Sequence, residues 1–396
     1  MLGVLRRLRP NWGQARPFLI IGLLLLFVYF SFFWRLGSMT PGLGPSEYSS
    51  RQNSQDPEQI ITRGLNAPFY LLQFSFTGLT DNEVLALRLA SVVTGLVIFA
   101  FFFLLMRSWF GQTISFFAGL LFITTPWVII TVRTATPNIM LLWQIAPLAC
   151  FILMSRSKQR TGPWWLLLCL VAGLSLYTPG LIWFLLAGLL IAGRRFQLAI
   201  NRINGVYLVS GIAIAVLMIV PLAISLALEP SRLRQLFLIP TSWQSGYETL
   251  RSVGWSAASF FWSTRSHIDI GVGRLPILNI LQIVLMIFGL YALSSRARNI
   301  TYALVGSLLF SIIVSGLNDN AHLLILGLPA VGIFIAAGLR YLYIEWRRVF
   351  PLNPFARALA VSLLSLVVAV NLLYAGRYSL VAWPHTTETK STYVLK

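Results

Sequence analysis

The feature that most constrains this chain is a series of long apolar runs separated by short basic segments. Nine runs read plainly as membrane spans, at residues 18–36, 84–106, 114–130, 139–154, 206–226, 277–293, 302–317, 323–342 and 359–373. A segment of about 20 apolar residues is what a helix needs to cross the hydrocarbon core of a bilayer. Inside that core every backbone polar group has to be satisfied internally, which a helix does by itself. Only 10% of the 396 residues are charged and 57% are hydrophobic, against roughly 25% charged in a soluble domain. Mean hydropathy is +0.78. The expectation is an all-α, polytopic integral membrane protein, with residues 1–396 forming a single membrane domain.

One further run, 164–192, is too long for an ordinary span and is broken by Tyr177-Thr178-Pro179-Gly180. Proline and glycine in mid-run mark a kink or a turn. The run reads as two short helices meeting at the outer surface, bringing the total to about eleven transmembrane helices; a single kinked helix would make it ten.

Basic residues set the orientation. With the N-terminus (1–16) inside and the spans alternating, the inner segments hold seventeen of the 30 Lys and Arg residues, among them Arg107, Arg156, Arg194, Arg298 and Arg347. The only inner acid is Glu345; the other ten acids fall outside. This is the positive-inside pattern in every inner loop. It predicts a cytoplasmic N-terminus, an extracytoplasmic segment at 376–396 and residence in a bacterial-type plasma membrane. The net charge of +19 is then a topology signal with attraction to anionic membrane lipid, and no groove-sized basic patch suggests a nucleic-acid partner. The first run is long and lacks a clean small-residue cleavage site, so it reads as an uncleaved anchor.

Cys150 and Cys169 both lie inside spans and suggest neither a disulfide nor a metal site. His267-Ile268-Asp269 is a weak metal hint in a loop, so a divalent metal is left open without a ligand set to support one. Two large outer loops, at about 37–82 and 229–276, contrast with short inner connections. A protein that places its non-membrane residues on one face is expected to work there.

Local signals are readable in the first loop. Asp56-Pro57-Glu58 is an N-cap followed by proline at the first helical position, and Thr80-Asp81-Asn82-Glu83 is a capping-box pattern before the second span. These give Asp56, Glu58, Asp81 and Glu83 structural roles. Residues from Leu65 to Tyr70 lead into an apolar stretch too short to cross, read as a re-entrant or interfacial helix with Phe69 and Tyr70 at the headgroup level. One loop acid is left, Glu47, whose bland reading is a dipole-favoured place in the first turn of a surface helix behind Ser46. Arg88, inside the second span, is costly there and is expected to pair with Asp81 or Glu83.

The order of features resembles the GT-C superfamily of polyprenyl-phosphate-sugar-dependent glycosyltransferases, in the branch of protein mannosyltransferases and aminoarabinose transferases. The resemblance runs over about residues 17–345. It is carried by the proline-glycine stretch from Pro41 to Pro45, then Ser46-Glu47, Asn66-Ala67-Pro68-Phe69-Tyr70, Arg88-Leu89-Ala90-Ser91 with Gly95, and Trp109-Phe110-Gly111. It continues through Pro126-Trp127, Arg133 to Asn138, Gly173 to Gly180 and His322 to Pro329. No one motif is specific; the ordered series is more so. The chain departs from the pattern where an Asp-Glu pair is expected, since Ser46 stands in the place of the first acid. Pro137-Asn138 replaces a second loop acid, and the large soluble domain of some members does not follow the last span. Either the base has moved to Glu47 or activity has been lost.

The resemblance implies transfer of a sugar from a polyprenyl-phosphate donor to a protein, lipid or glycan acceptor on the extracytoplasmic side. The lipid-linked sugar is a substrate, and no cofactor is called for. Such a transfer needs a carboxylate to take the acceptor's proton and fixed positive charge beside the leaving phosphate. Glu47 is the expected catalytic base. Arg133, whose guanidinium suits bidentate phosphate binding, is the first candidate for the phosphate; His322 and Arg274 follow, and Ser46 and Asn138 are the remaining substrate-binding candidates. Each cation also has a plainer reading: Arg133 and Arg274 as snorkelling span-end arginines, His322 as a helix cap or a partner of Asp319. The competing reading is a non-catalytic relative that binds lipid-linked glycans. A transporter is weaker still, because no span interior holds an Asp, Glu or Lys of the kind that marks a transport path.

Overall fold

The computed structural model describes residue 22 and residues 25–157, 159–265 and 269–395; His267, half of the weak metal hint, lies outside them. Among the described residues the chain is helical throughout, with one isolated antiparallel bridge, Leu43 to Leu395. Polar N-caps start many of the helices: Asp56, Asn82, Asn204, Ser245, Asn279 and Asn353 each accept a hydrogen bond from a backbone N–H in the first turn. This satisfies donors that have no partner within the helix.

Among the described residues seven helices are long and apolar enough to cross a membrane, or eight if the bent pair Gln112–Ile123 and Pro126–Arg133 is one span. Thr161–Ser175 and Ile280–Arg296 are apolar but shorter. The expected number of about eleven is not confirmed by length and composition, although each expected span from the second onward is helical. The break at Tyr177 to Gly180 separates two helices, Thr161–Ser175 and Leu181–Ile200. Gly180 adopts φ 82° there, a left-handed backbone that glycine enters without steric cost.

Burial sorts the helices. The segment Ala321–Val349 is 94% buried over its apolar window and forms the centre of the bundle; Leu181–Ile200 and Gly205–Leu228 are largely exposed along theirs, as helices facing lipid are. At the centre, Ile280–Arg296 and Leu328–Val349 touch backbone to backbone. A Cβ on Gly289 would lie 1.8 Å from the Phe334 carbonyl oxygen, and one on Gly338 would lie 2.0 Å from that of Leu285. Small residues permit this approach, and close packing is what holds helices together where lipid offers no hydrophobic drive.

The 67° bend between Gln112–Ile123 and Pro126–Arg133 aims the following segment at the loops. Pro126 removes a backbone donor at the break. Polar side chains from other helices fill in: Gln282 Nε2 donates to the Leu121 carbonyl at 3.2 Å and to Thr125 Oγ1 at 3.0 Å, and Asn371 donates to Thr124. Gln282 and Asn371 are fully buried. Satisfying freed backbone groups in this way is the condition for a bend inside a membrane helix.

The first loop packs as three short helices, Pro45–Asn53, Pro57–Arg63 and Ala67–Phe76. Two expectations change here. The second span is capped by Asn82, whose side chain accepts from the Leu85 N–H, while Thr80 only holds the preceding turn through the Asn82 N–H. Phe69 and Tyr70 are buried against the core: the helix carrying them packs on Glu83–Phe110, so both rings face protein rather than lipid headgroups.

Candidate functional site

Two buried arginines fasten the first loop to the bundle. Arg88, fully sealed from solvent, donates from Nε to Glu47 Oε1 and from Nη2 to Glu47 Oε2, both at 2.9 Å. Its remaining N–H groups reach the Leu36 carbonyl at 2.9 Å and Thr40 Oγ1 at 2.7 Å. The expected partners Asp81 and Glu83 are thus corrected to Glu47: the turn from Leu36 to Gly44 folds over the helix face carrying Arg88, while Glu83 pairs with Arg51 instead.

Glu47 is filled by this arrangement. Beyond its two bonds from Arg88 it accepts from the Ala135 N–H at 2.8 Å and the Gly44 N–H at 3.1 Å. It sits in the first turn of Pro45–Asn53, as the dipole reading expects, yet only 1% exposed rather than on the surface. A carboxylate has about four acceptor positions, and all four N–H donors here are protein groups. Glu47 holds together the first loop, the second span and the turn after the bent pair.

Arg133 is committed in the same manner. Nη1 donates to the Ser31 carbonyl at 3.0 Å, Nη2 to the Trp34 carbonyl at 2.6 Å, and Nε meets the Met39 thioether at 3.2 Å. At 1% exposure it clamps the end of the first span and has no face turned to a phosphate. Arg274 is exposed on the second loop, and its carbonyl accepts from the Thr264 N–H at 3.2 Å. That bond and Thr264 Oγ1 to the Leu275 carbonyl at 3.0 Å close the neck of a loop that carries Arg265, Asp269 and Arg274 on its rim.

The remaining candidates come together. Ser46 Oγ donates to Asp269 Oδ2 at 2.7 Å, across 223 positions of sequence. His322 Nε2 lies 3.9 Å from the same oxygen, and His322 Nδ1 is 3.0 Å from Asn138 Nδ2. With the Asn138 amide nitrogen donating, Nδ1 accepts and the ring proton sits on Nε2, facing the carboxylate. Ser46, Asn138 and His322 are therefore neighbours, and the residue sequence reasoning missed is the one between them, Asp269. Only the pairing with His267 drew attention to it.

Tyr393 closes the cluster from behind. Burial, followed by the nearby Glu47 and Asp269 carboxylates, holds its pKa well above 10 against the pull of Arg88. The ring lies over Gly44, where a Cβ would come within 2.8 Å of it. The neighbouring Leu395 exchanges two backbone hydrogen bonds with Leu43, at 2.8 and 3.2 Å.

Beside the cluster a shallow slot, open to solvent on one side, is lined by Ser252, Trp255, Ser256, Ser259, Arg265 and Asp319. Asp319 accepts from Arg265 Nη1 at 2.7 Å and from Ser252 Oγ at 2.9 Å. The helix Gly246–Phe261 turns Ser252, Ser256 and Ser259 inward, with Tyr247, Leu250 and Trp255 exposed. This is an amphipathic helix whose polar side faces the protein. Among the described residues no group of three or more His, Cys, Asp and Glu side chains is placed to hold a metal ion.

Residues 67–225 match the family model of dolichyl-phosphate-mannose-protein mannosyltransferases. In structure the chain is similar to ArnT from Cupriavidus metallidurans in the apo state, with TM-score 0.57 and 18% identity over 97% of this chain and 76% of ArnT. The same protein bound to undecaprenyl phosphate gives TM-score 0.55 and 16% identity over the same shares. The archaeal oligosaccharyltransferase AglB from Archaeoglobus fulgidus, in complex with an inhibitory peptide and a dolichol-phosphate, gives TM-score 0.55 and 11% identity over 94% of this chain and 56% of AglB. No curated protein matches the chain significantly. The chain has the all-α GT-C fold, in agreement with the resemblance read from its sequence.

Proposed function

From a multi-span membrane protein of GT-C fold, we propose a glycosyltransferase that moves a sugar from a polyprenyl-phosphate donor to an acceptor on the extracytoplasmic side of a bacterial-type plasma membrane, its N-terminus cytoplasmic. The observation that carries this reading is the meeting of Ser46, Asp269, His322 and Asn138 where the two long loops converge. An oriented carboxylate and imidazole there supply proton-transfer chemistry. The adjoining slot offers serine hydroxyls, an Arg–Asp pair and an indole, groups that match the hydroxyls and apolar face of a pyranose ring. Arg274, exposed on the rim, and the half-buried Arg265, which is paired with Asp319, provide positive charge for the donor phosphate, with His322 as a further donor. That ArnT and AglB were solved with polyprenyl-type phosphates supports the donor class; the sugar and the acceptor stay generic.

A non-catalytic binder of lipid-linked glycans is favoured by one observation: a serine stands at position 46 beside a fully occupied Glu47. Incubating the purified protein with radiolabelled polyprenyl-phosphate sugars and a membrane extract separates the two. Label transferred to an acceptor is the expected result. Saturable binding of polyprenyl phosphate without any labelled product would establish the binder instead.

A further inference from the structure

We infer that Asp269, delivered by the second loop, is the carboxylate that takes the acceptor's proton, and that Glu47 is the structural pair of Arg88 beneath it. This rests on the transferase reading above and names its base.

Exposure and bonding separate the two acids. Glu47 is 1% exposed and accepts four N–H bonds. Taking a proton would break an ion pair that is sealed from solvent, and losing one partner of such a pair is strongly destabilising. Asp269 keeps 28% of its side chain open. Ser46 holds it with a neutral hydroxyl donor rather than a cation, so it is oriented without being neutralised. A base needs that combination: a fixed direction, access to the substrate and a proton affinity not cancelled by a salt bridge.

Several other acids at this end of the bundle are occupied. Asp56 caps a helix, Glu83 pairs with Arg51, Glu248 closes a capping box and Asp319 is held by Arg265 and Ser252. Asp269 is also the acid that touches Ser46, the residue adjoining the Glu47 anchor. The site thus receives a carboxylate at that point in space from a segment 223 positions away. The imidazole of His322 lies on its far side, with Asn138 fixing the ring.

The step balances without a further reactant. The acceptor hydroxyl oxygen bonds to the anomeric carbon of the donor sugar while the bond from that carbon to the phosphate oxygen breaks. The bonding pair leaves on the polyprenyl phosphate, and the hydroxyl proton passes to an Asp269 carboxylate oxygen, from which water later removes it. Attack from the side opposite the phosphate inverts the anomeric centre.

The test uses the full chain in detergent or vesicles, with transfer of radiolabelled sugar and binding of undecaprenyl phosphate measured side by side. Asp269→Asn is expected to lower transfer about 10²–10⁴-fold, the usual range for a lost general base, with carrier affinity close to that of the wild type. The transposed double variant Ser46→Asp with Asp269→Ser returns a carboxylate to the same pair of positions from the other strand. It is expected to recover at least about tenfold over Asp269→Ser, part of the range a general base supplies. Near wild-type transfer by Asp269→Asn would overturn the assignment and leave the transferase reading standing. So would loss of carrier binding in step with transfer, or a double variant no better than Asp269→Ser. If Asp269→Asn does not fold, Asp269→Glu, which keeps the base and shifts it by one methylene, must retain measurable transfer. A wild type that transfers nothing defeats the transferase reading itself.

Discussion

Arg88 and Glu47 meet through two N–H···O bonds of 2.9 Å, with neither side chain more than 1% exposed. The pair joins the second span to the first loop at the point where the Ala135 N–H also arrives. Removing one member leaves the other charged, buried and unpartnered. Arg88→Ala should therefore cost about 3–5 kcal/mol, read as a large drop in melting temperature in detergent or a failure to accumulate. Glu47→Gln should lose stability and transfer together, since it loosens the floor of the site. An unchanged melting temperature in Arg88→Ala would contradict the role given to the pair.

Arg133 is a second fastening. It grips the carbonyls of Ser31 and Trp34, so Arg133→Ala leaves the buried Ser31 carbonyl without this donor, at about 1–3 kcal/mol, and releases the half-open Trp34 end as well. Arg133→Lys should recover little, because an ammonium cannot span both carbonyls as the guanidinium fork does. Both variants should bind undecaprenyl phosphate as the wild type does once folded. A specific loss of carrier binding in a well-folded Arg133→Lys protein would return this residue to the phosphate.

Gly338 tests the core of the bundle. Any side chain there meets the Leu285 carbonyl, which a Cβ would approach to 2.0 Å. Gly338→Leu should force the Ile280–Arg296 and Leu328–Val349 helices apart, costing more than the roughly 1–3 kcal/mol of ordinary overpacking. Gly306→Leu, at a glycine with open space around it, is the control and should melt near the wild type.

Tyr393 carries a pH signature. Its folded-state pKa is raised above 10 by burial and by the carboxylates of Glu47 and Asp269. The stability this proton contributes is fully present below the unfolded value, near 10, and is lost as pH rises through the higher folded value. Between about pH 9 and 11 the wild type should lose melting temperature more steeply than Tyr393→Phe. Parallel curves would mean that the phenol proton is not held as the structure implies.

Orientation is open to direct measurement. Cys150 and Cys169 are buried and should stay silent to an impermeant thiol reagent. A cysteine at the exposed Asp81 should label from outside intact cells, and one at the exposed Arg348 only after permeabilisation. The reverse pattern would invert the protein and place the cluster on the cytoplasmic face.

What could be read from the sequence was what local chemistry decides. Asp56 before Pro57 announced its cap, and Tyr177 to Gly180 its break, because a turn or a cap depends on neighbours a few positions away. The apolar runs announced helices for the same reason, through hydropathy alone. Phe69 and Tyr70 misled because an aromatic pair beside an apolar stretch suits either a headgroup layer or a core, and only tertiary packing chooses. Glu47 and Arg133 were singled out as charges in suggestive places, but their availability depended on partners 41 and about 100 positions distant. Ser46, Asn138 and His322 were named from the family resemblance and do stand together. Asp269, which joins them, sits in a loop whose sequence carries no distinctive spacing, so nothing short of the folded chain could connect it to Ser46.

The bridge between Leu43 and Leu395 bears on how the protein is made. Ribosomes add about 5–20 residues per second, so residue 43 is synthesised on the order of tens of seconds before its partner. Through that interval the first loop is in place while the backbone edge at Leu43 and the face of Gly44 still await Leu395 and Tyr393. A chain stalled before those residues can thread its spans into the bilayer and yet hold an unfinished cluster, with the face of Gly44 uncovered by Tyr393. Completion of the site is thereby tied to synthesis through residue 395, and a product ending before it would occupy the membrane without the assembled centre.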